Sequence, residues 1–193
     1  MHEDKSVILH ERQGDVLILT LNRPERHNAM STWLSHCLGE AVINAPREGV
    51  KVIVITGAGD KSFCAGGDML EMSGKEELSA LLPPKDYRLN GAQEIEKCPI
   101  PIIAAINGYC YGGGARLAIL CDIRLASQNA TFRLPGSEYG LVVAAATLPR
   151  LVGVSKAKEW IYTARRFDAI EALDAGLLSS VHSADQLMEK TLE

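Results

Sequence analysis

The chain has 193 residues, enough for one domain with a sizeable core, and its 47% hydrophobic and 23% charged content fits a soluble globular protein rather than a disordered one. Twenty Lys and Arg against 24 Asp and Glu leave a net charge of −4, which removes the electrostatic case for nucleic acid. The apolar runs at 101–106 and 141–146 are too short to cross a bilayer, and Met1-His2-Glu3-Asp4-Lys5 lacks a signal-peptide layout, so a cytoplasmic protein without a membrane partner is expected.

Alternating runs at 7–11 and 16–21 flank Gln13-Gly14-Asp15 and predict a hairpin. Ser31 is the expected cap of a helix to about Ala45, with Pro46 as its stop. The β-branched run 52–56 predicts a strand buried on both faces, followed by a loop down to Gly66-Gly67-Asp68. Residues 73–85 read as a mobile polar surface segment with at most one short helix, and 87–97 as a helix. A second buried strand is expected at 102–106, then a turn at Asn107-Gly108, a helix from Gly112 to about Cys121, and short strands at 122–126 and 130–134. Helices are expected at 144–151, at 155–164 with Ser155 as cap, at 168–175 ending at Gly176, and at 184–193, with a short apolar run at 178–181. This alternation, without a break in composition, argues for one α/β domain over 1–193.

The five cysteines at 37, 64, 98, 110 and 121 are odd in number and form no CxxC pair, so neither a disulfide framework nor structural zinc is expected. The five histidines are scattered, which gives no metal site. Two glycine clusters carry the strongest signal: Phe63-Cys64-Ala65-Gly66-Gly67-Asp68 and Asn107-Gly108-Tyr109-Cys110-Tyr111-Gly112-Gly113-Gly114. Each follows one of the two buried strands. Glycine lets a backbone N–H approach a ligand without a Cβ in the way, and a helix opened by glycines presents unpaired N–H groups at its positive end. One N–H from each loop could converge on a single carbonyl oxygen as an oxyanion hole; either cluster alone reads better as a tight turn, but the pair in this order does not. Other glycine motifs fail: Gly57-Ala58-Gly59-Asp60-Lys61-Ser62 ends in serine where a dinucleotide loop needs glycine, Gly108–Gly113 is not followed by lysine, and Ser137 lacks the glycines of a nucleophile elbow.

Arg23-Pro24-Glu25-Arg26-His27-Asn28-Ala29-Met30, the 63–68 segment, the glycine run with Cys121-Asp122, then Phe132…Pro135…Gly140-Leu141 and Glu171-Ala172…Gly176-Leu177 resemble, in this order, the enoyl-CoA hydratase/isomerase (crotonase) family. The resemblance covers nearly the whole chain. It implies a spiral of ββα units forming two roughly perpendicular sheets, and a bent acyl-CoA whose thioester oxygen is held by two backbone N–H groups. Carried over by position, those donors are Gly67 and Gly113. Arg26, His27, Ala29, Cys64, Ala65 and Gly66 would line the adenine and pantetheine side, and Asp68, Tyr111, Gly112 and Gly136 would complete the acyl-CoA contacts. Coenzyme A enters as part of the substrate, with no tightly bound cofactor. Relatives continue through C-terminal helices that build a homotrimer or a dimer of trimers, a part that is short in this sequence.

The sequence departs from the hydratase pattern at two positions. Hydration needs proton traffic at both carbons of the double bond, supplied by two carboxylates. Where the resembling pattern has its first glutamate this chain has Arg116, and where it has the second this chain has Gly136. Simple hydration is therefore expected to be slow, and isomerase, decarboxylase or hydrolase chemistry is favoured; the alternative is a non-catalytic paralogue that binds acyl-CoA. Glu138 or Tyr139 could act as a relocated base, while Asp68 reads better as a helix cap and Tyr111 as a packed aromatic or an acyl contact. Arg116 lies one turn past Gly113, so it is expected to return toward the same mouth, either paired with Asp68 or Glu138 or binding a substrate carboxylate.

Overall fold

A computed structural model describes residues 6–141 and 144–193. The opening five residues, on which the signal-peptide reading rests, and part of the 141–146 run lie outside them. The hairpin forms as expected: β1 (Ile8–Gln13) pairs antiparallel with β2 (Val16–Leu21), register Ile8 to Leu21. Ser31 caps α1 (Thr32–Arg47) by accepting from the Leu34 N–H. Pro46 does not stop this helix but sits in its last turn, where the proline φ is already helical and only one amide bond is lost.

β3 (Val52–Gly57), β5 (Ile102–Ile106), β7 (Ile123–Ser127) and β10 (Ser180–His182) run parallel to β2 in a six-stranded sheet, order β1-β2-β3-β5-β7-β10. The expected loop after β3 and turn after β5 each contain a further strand. β4 (Ser62–Cys64) and β6 (Tyr109–Tyr111) pair parallel with each other, and β8 (Thr131–Arg133) with β6; β9 (Phe167–Asp168) closes this second sheet antiparallel, order β4-β6-β8-β9. The chain thus alternates between sheets, β3 to β4, β5 to β6, β7 to β8, with helices between successive pairs.

Those helices are α2 (Met69–Met72), α3 (Gly91–Lys97), capped by Asn90, and α4 (Gly113–Leu120). After β8 come α5 (Leu148–Val152), α6 (Val154–Thr163), α7 (Ala169–Asp174) and α8 (Leu187–Leu192). Several boundaries shift, and α8 begins at Leu187 rather than 184. α3 begins at Gly91 rather than 87, the 144–151 helix shrinks to α5, and Ser155 lies inside α6 because Gly153, at φ +79°, already makes the break. Between 73 and 85 the chain forms no helix before a short 3-10 turn at Lys85–Tyr87.

The main core lies between the sheets and helices, around Leu19, Leu34, Ile53, Ile55, Ile106, Phe132 and Trp160. Trp160 stacks on Phe167 with ring centroids 3.7 Å apart, and Phe167 on Phe132 at 5.4 Å, which fastens α6 to the small sheet. Among the described residues no helix is long and apolar enough to cross a membrane, and no group of His, Cys, Asp and Glu could hold a metal ion.

Candidate active site

Because β4, β6 and β8 are neighbouring parallel strands, the segments that leave them emerge at one edge of the small sheet. These are Ala65-Gly66-Gly67, Gly112-Gly113 and Pro135-Gly136. Together with Met69, Met72, Tyr111, Arg133, Tyr139 and Leu141 they line a cavity of about 460 Å³. The two glycine clusters therefore converge by way of two three-residue strands, not directly from the long buried strands.

Two glycines set the backbone there. Gly66 has φ +114° and Gly112 has φ +51° with ψ −113°, regions that cost an L-residue heavily, and each immediately precedes a candidate donor. A Cβ built on Gly113 would lie 3.5 Å from the Gly67 nitrogen. Since a Cβ sits about 2.5 Å from its own nitrogen, the two amide nitrogens are within roughly 6 Å of each other. Among the described residues neither N–H donates to a backbone or side-chain acceptor, whereas the Gly112 N–H is spent on the Arg133 carbonyl.

The 23–30 segment braces the first glycine loop from behind. The Ala65 N–H donates to the His27 carbonyl, the Met30 N–H to the Gly66 carbonyl, and the Asp68 N–H to the Met30 carbonyl. Asn28, fully buried at φ +54°, donates to the carbonyls of Ala58 and Ser62 and accepts from the Arg23 N–H. Asp68 caps α2 through the Leu70 and Glu71 N–H groups and pairs with Arg23 at 2.8 Å. Burial pushes the Asp68 carboxyl up, but the Arg23 hydrogen bond and charge and the two capping amides outweigh it and hold the group below its ordinary value.

The predicted site residues divide accordingly. Gly67, Gly113, Ala65, Gly66, Gly112, Tyr111, Gly136 and Tyr139 come together around the cavity. Arg26, His27, Ala29 and Asp68 lie in or against the bracing segment and outside that lining; Arg26 is engaged with Glu76 at 3.1 Å. Cys64 has no exposed surface, so it cannot line a ligand channel; burial, its main influence, pushes its thiol up to about 11. Tyr111 donates to or accepts from the Thr131 hydroxyl at 2.7 Å and stacks on Tyr109, so it is both packed and lining. Glu138 is not in the lining but is ion-paired with Arg133, which is.

Arg116 departs most from expectation. It lines a second cavity, of about 370 Å³, with Glu96, Ile119, Leu120 and residues 144–147, and is absent from the lining of the first. Packing against α3 and the 144–147 segment, not the helix alone, decides where the side chain goes. Neither acid named as its partner is available, since Asp68 is held by Arg23 and Glu138 by Arg133. Sequence reasoning missed Arg133, Met69 and Met72; the first stands between Phe132 and Pro135 of the recognised segment, and the methionines flank the turn that Asp68 caps. Among the described lining residues of the first cavity there is no carboxylate.

Comparison with known proteins identifies the family. The family described as enoyl-CoA hydratase/isomerase matches residues 11–193. The chain is 37% identical to the short-chain-enoyl-CoA hydratase of Clostridium acetobutylicum over 99% of its own length and 74% of that protein's. It is 37% identical to the carnitinyl-CoA dehydratase of Salmonella typhi, covering 94% of this chain and 70% of that one. The crystal structure of an enoyl-CoA hydratase/isomerase from Pseudoalteromonas atlantica T6c superposes with a TM-score of 0.87 at 32% identity, over 97% of this chain and 74% of that one. With a family match over residues 11–193 and a TM-score of 0.87 along almost its whole length, the chain belongs to the enoyl-CoA hydratase/isomerase family and has the crotonase fold.

Proposed function

We propose that the protein binds an acyl-CoA in the cavity between the two glycine loops and stabilises the enolate of its thioester, with chemistry other than ordinary hydration. The observation that carries this reading is the pair of undonated N–H groups of Gly67 and Gly113, within roughly 6 Å of each other on one cavity wall. An oxygen between them can accept from both. As a base removes the Cα proton, the bond pair moves into the carbonyl and negative charge collects on that oxygen, where two fixed donors favour the transition state over the neutral thioester. Returning the proton to Cα gives exchange; delivering it two carbons further along an unsaturated chain gives isomerisation.

The base is the residue the family pattern does not supply here. Tyr139 lines the cavity, and Glu138 reaches its wall through Arg133. A positioned base is worth about 10²- to 10⁴-fold in rate. Glu138→Gln or Tyr139→Phe should thus slow exchange of the Cα proton of butyryl-CoA with deuterated water by at least about a hundredfold, followed by proton NMR. Hydration of crotonyl-CoA should be barely detectable in the unmodified protein, and turnover typical of a hydratase would contradict the assignment.

The absence of a carboxylate among the described lining residues favours a second reading, in which the protein binds acyl-CoA without transforming it. Binding of butyryl-CoA by calorimetry with no Cα exchange would establish that reading in place of the first.

A further inference from the structure

Two arginines stand beside the proposed thioester site, and their electrostatic situations differ. Arg133, on the wall of the first cavity, is offset by Glu138 and also donates to the Ala164 carbonyl. Arg116 has neither kind of partner: among the described residues its guanidinium forms no ion pair and no side-chain hydrogen bond. It is half-buried, and it extends from the first turns of α4, whose N-terminal end is already positive. A cation in that position calls for an anion. Glu96 lines the same cavity without being paired to Arg116, and it is the only acid among that cavity's described lining residues.

The two cavities share no lining residue, but both border α4. Gly113 borders the first at the start of the helix, and Arg116, three residues on, borders the second. Residues three apart on a helix are about 5–6 Å apart at Cβ, so the Arg116 side chain begins one helical turn from the Gly113 N–H, a separation that an acyl chain of four or five carbons covers. The planar fork of arginine matches a carboxylate in two parallel hydrogen bonds. We infer that Arg116 recognises the terminal carboxylate of a dicarboxylic acyl-CoA, of the glutaryl class, whose thioester lies at the glycine loops. The inference rests on the acyl-CoA reading above and adds the identity of the acyl group.

The test compares butyryl-CoA with glutaryl-CoA by calorimetry and by Cα deuterium exchange, in the unmodified protein and in Arg116→Met. The unmodified protein should bind glutaryl-CoA at least about tenfold more tightly than butyryl-CoA, the range expected for a hydrogen-bonded charge pair. In Arg116→Met the ratio of the two dissociation constants should fall to near one, whatever the absolute values; Glu96→Gln should preserve or increase it. Equal affinity of the unmodified protein for the two thioesters overturns the inference while leaving the acyl-CoA reading intact, and needs no variant to fold. A preference that survives in Arg116→Met also overturns it. Failure of both thioesters to bind overturns the acyl-CoA reading and this inference together.

Discussion

Arg23 and Asp68 are where single residues matter most away from the cavity itself. Their side chains are 13% and 5% exposed, and Arg23 also donates to the Ala29 carbonyl, so one guanidinium ties the 23–30 segment to the start of α2. Removing one partner of a buried pair leaves an uncompensated charge, typically at a cost of about 3–5 kcal/mol. Arg23→Met should lower unfolding stability by about that amount in urea titration at pH 7. The Asp68 carboxyl is held below its ordinary value in the folded state, so its contribution is present at neutral pH and disappears as the pH falls through the carboxylate range. The pH dependence of stability should accordingly flatten in Asp68→Asn. Little of this was legible in the chain. Asp68 could be read as a cap from its place before a short apolar run, but its partner stands 45 positions earlier in a segment known only by resemblance. Cys64, Cys110 and Cys121 are each buried, with the thiol pushed up chiefly by that burial. None of the three should react with a thiol reagent at pH 8 while the protein is folded.

At the scale of elements, α6, α7 and the turn between them are joined by charge. Glu171 accepts from the Trp160 indole and pairs with Arg165 and Lys156, and Glu159 pairs with the same two cations. The Arg165 hydrogen bond is the largest influence on the Glu171 carboxyl and outweighs partial burial, bringing it down to about 2. A depressed folded value means that this contribution is complete above the ordinary glutamate range and is lost as pH falls from about 4.5 toward 2. Glu171→Gln should therefore lower the melting temperature at pH 7 and reduce its fall between pH 5 and pH 2.5, read by circular dichroism. An unchanged acid limb would show that the network contributes nothing net, as exposed pairs often do. Elements were legible where length and period were sufficient: the hairpin, α1, β3 and β5 follow from alternation, β-branching and capping. β4, β6 and β9 were not, since two or three residues display no period and their pairing is decided by neighbours far along the chain. That omission mattered, because these short strands set the spacing of the glycine loops.

For the whole molecule, the spiral of paired strands turns three distant glycine-containing segments into one cavity wall, which explains why a motif spread over 70 residues acts at one place. The ordered motifs were enough to read the fold and the two glycine segments that border the cavity from the chain. They could not reveal which way Arg116 points, since α3 and the 144–147 segment, not its own helix, enclose it. The account depends on the Gly67 and Gly113 amides gripping one thioester oxygen. Infrared difference spectroscopy of butyryl-CoA labelled with ¹³C at the thioester carbonyl tests this most directly. Two donors predict a bound carbonyl stretch at lower frequency than in water, and a partial return toward the water value in Gly112→Ala, where a side chain at φ +51° displaces the Gly113 amide. A bound carbonyl that vibrates as it does in water would contradict the account.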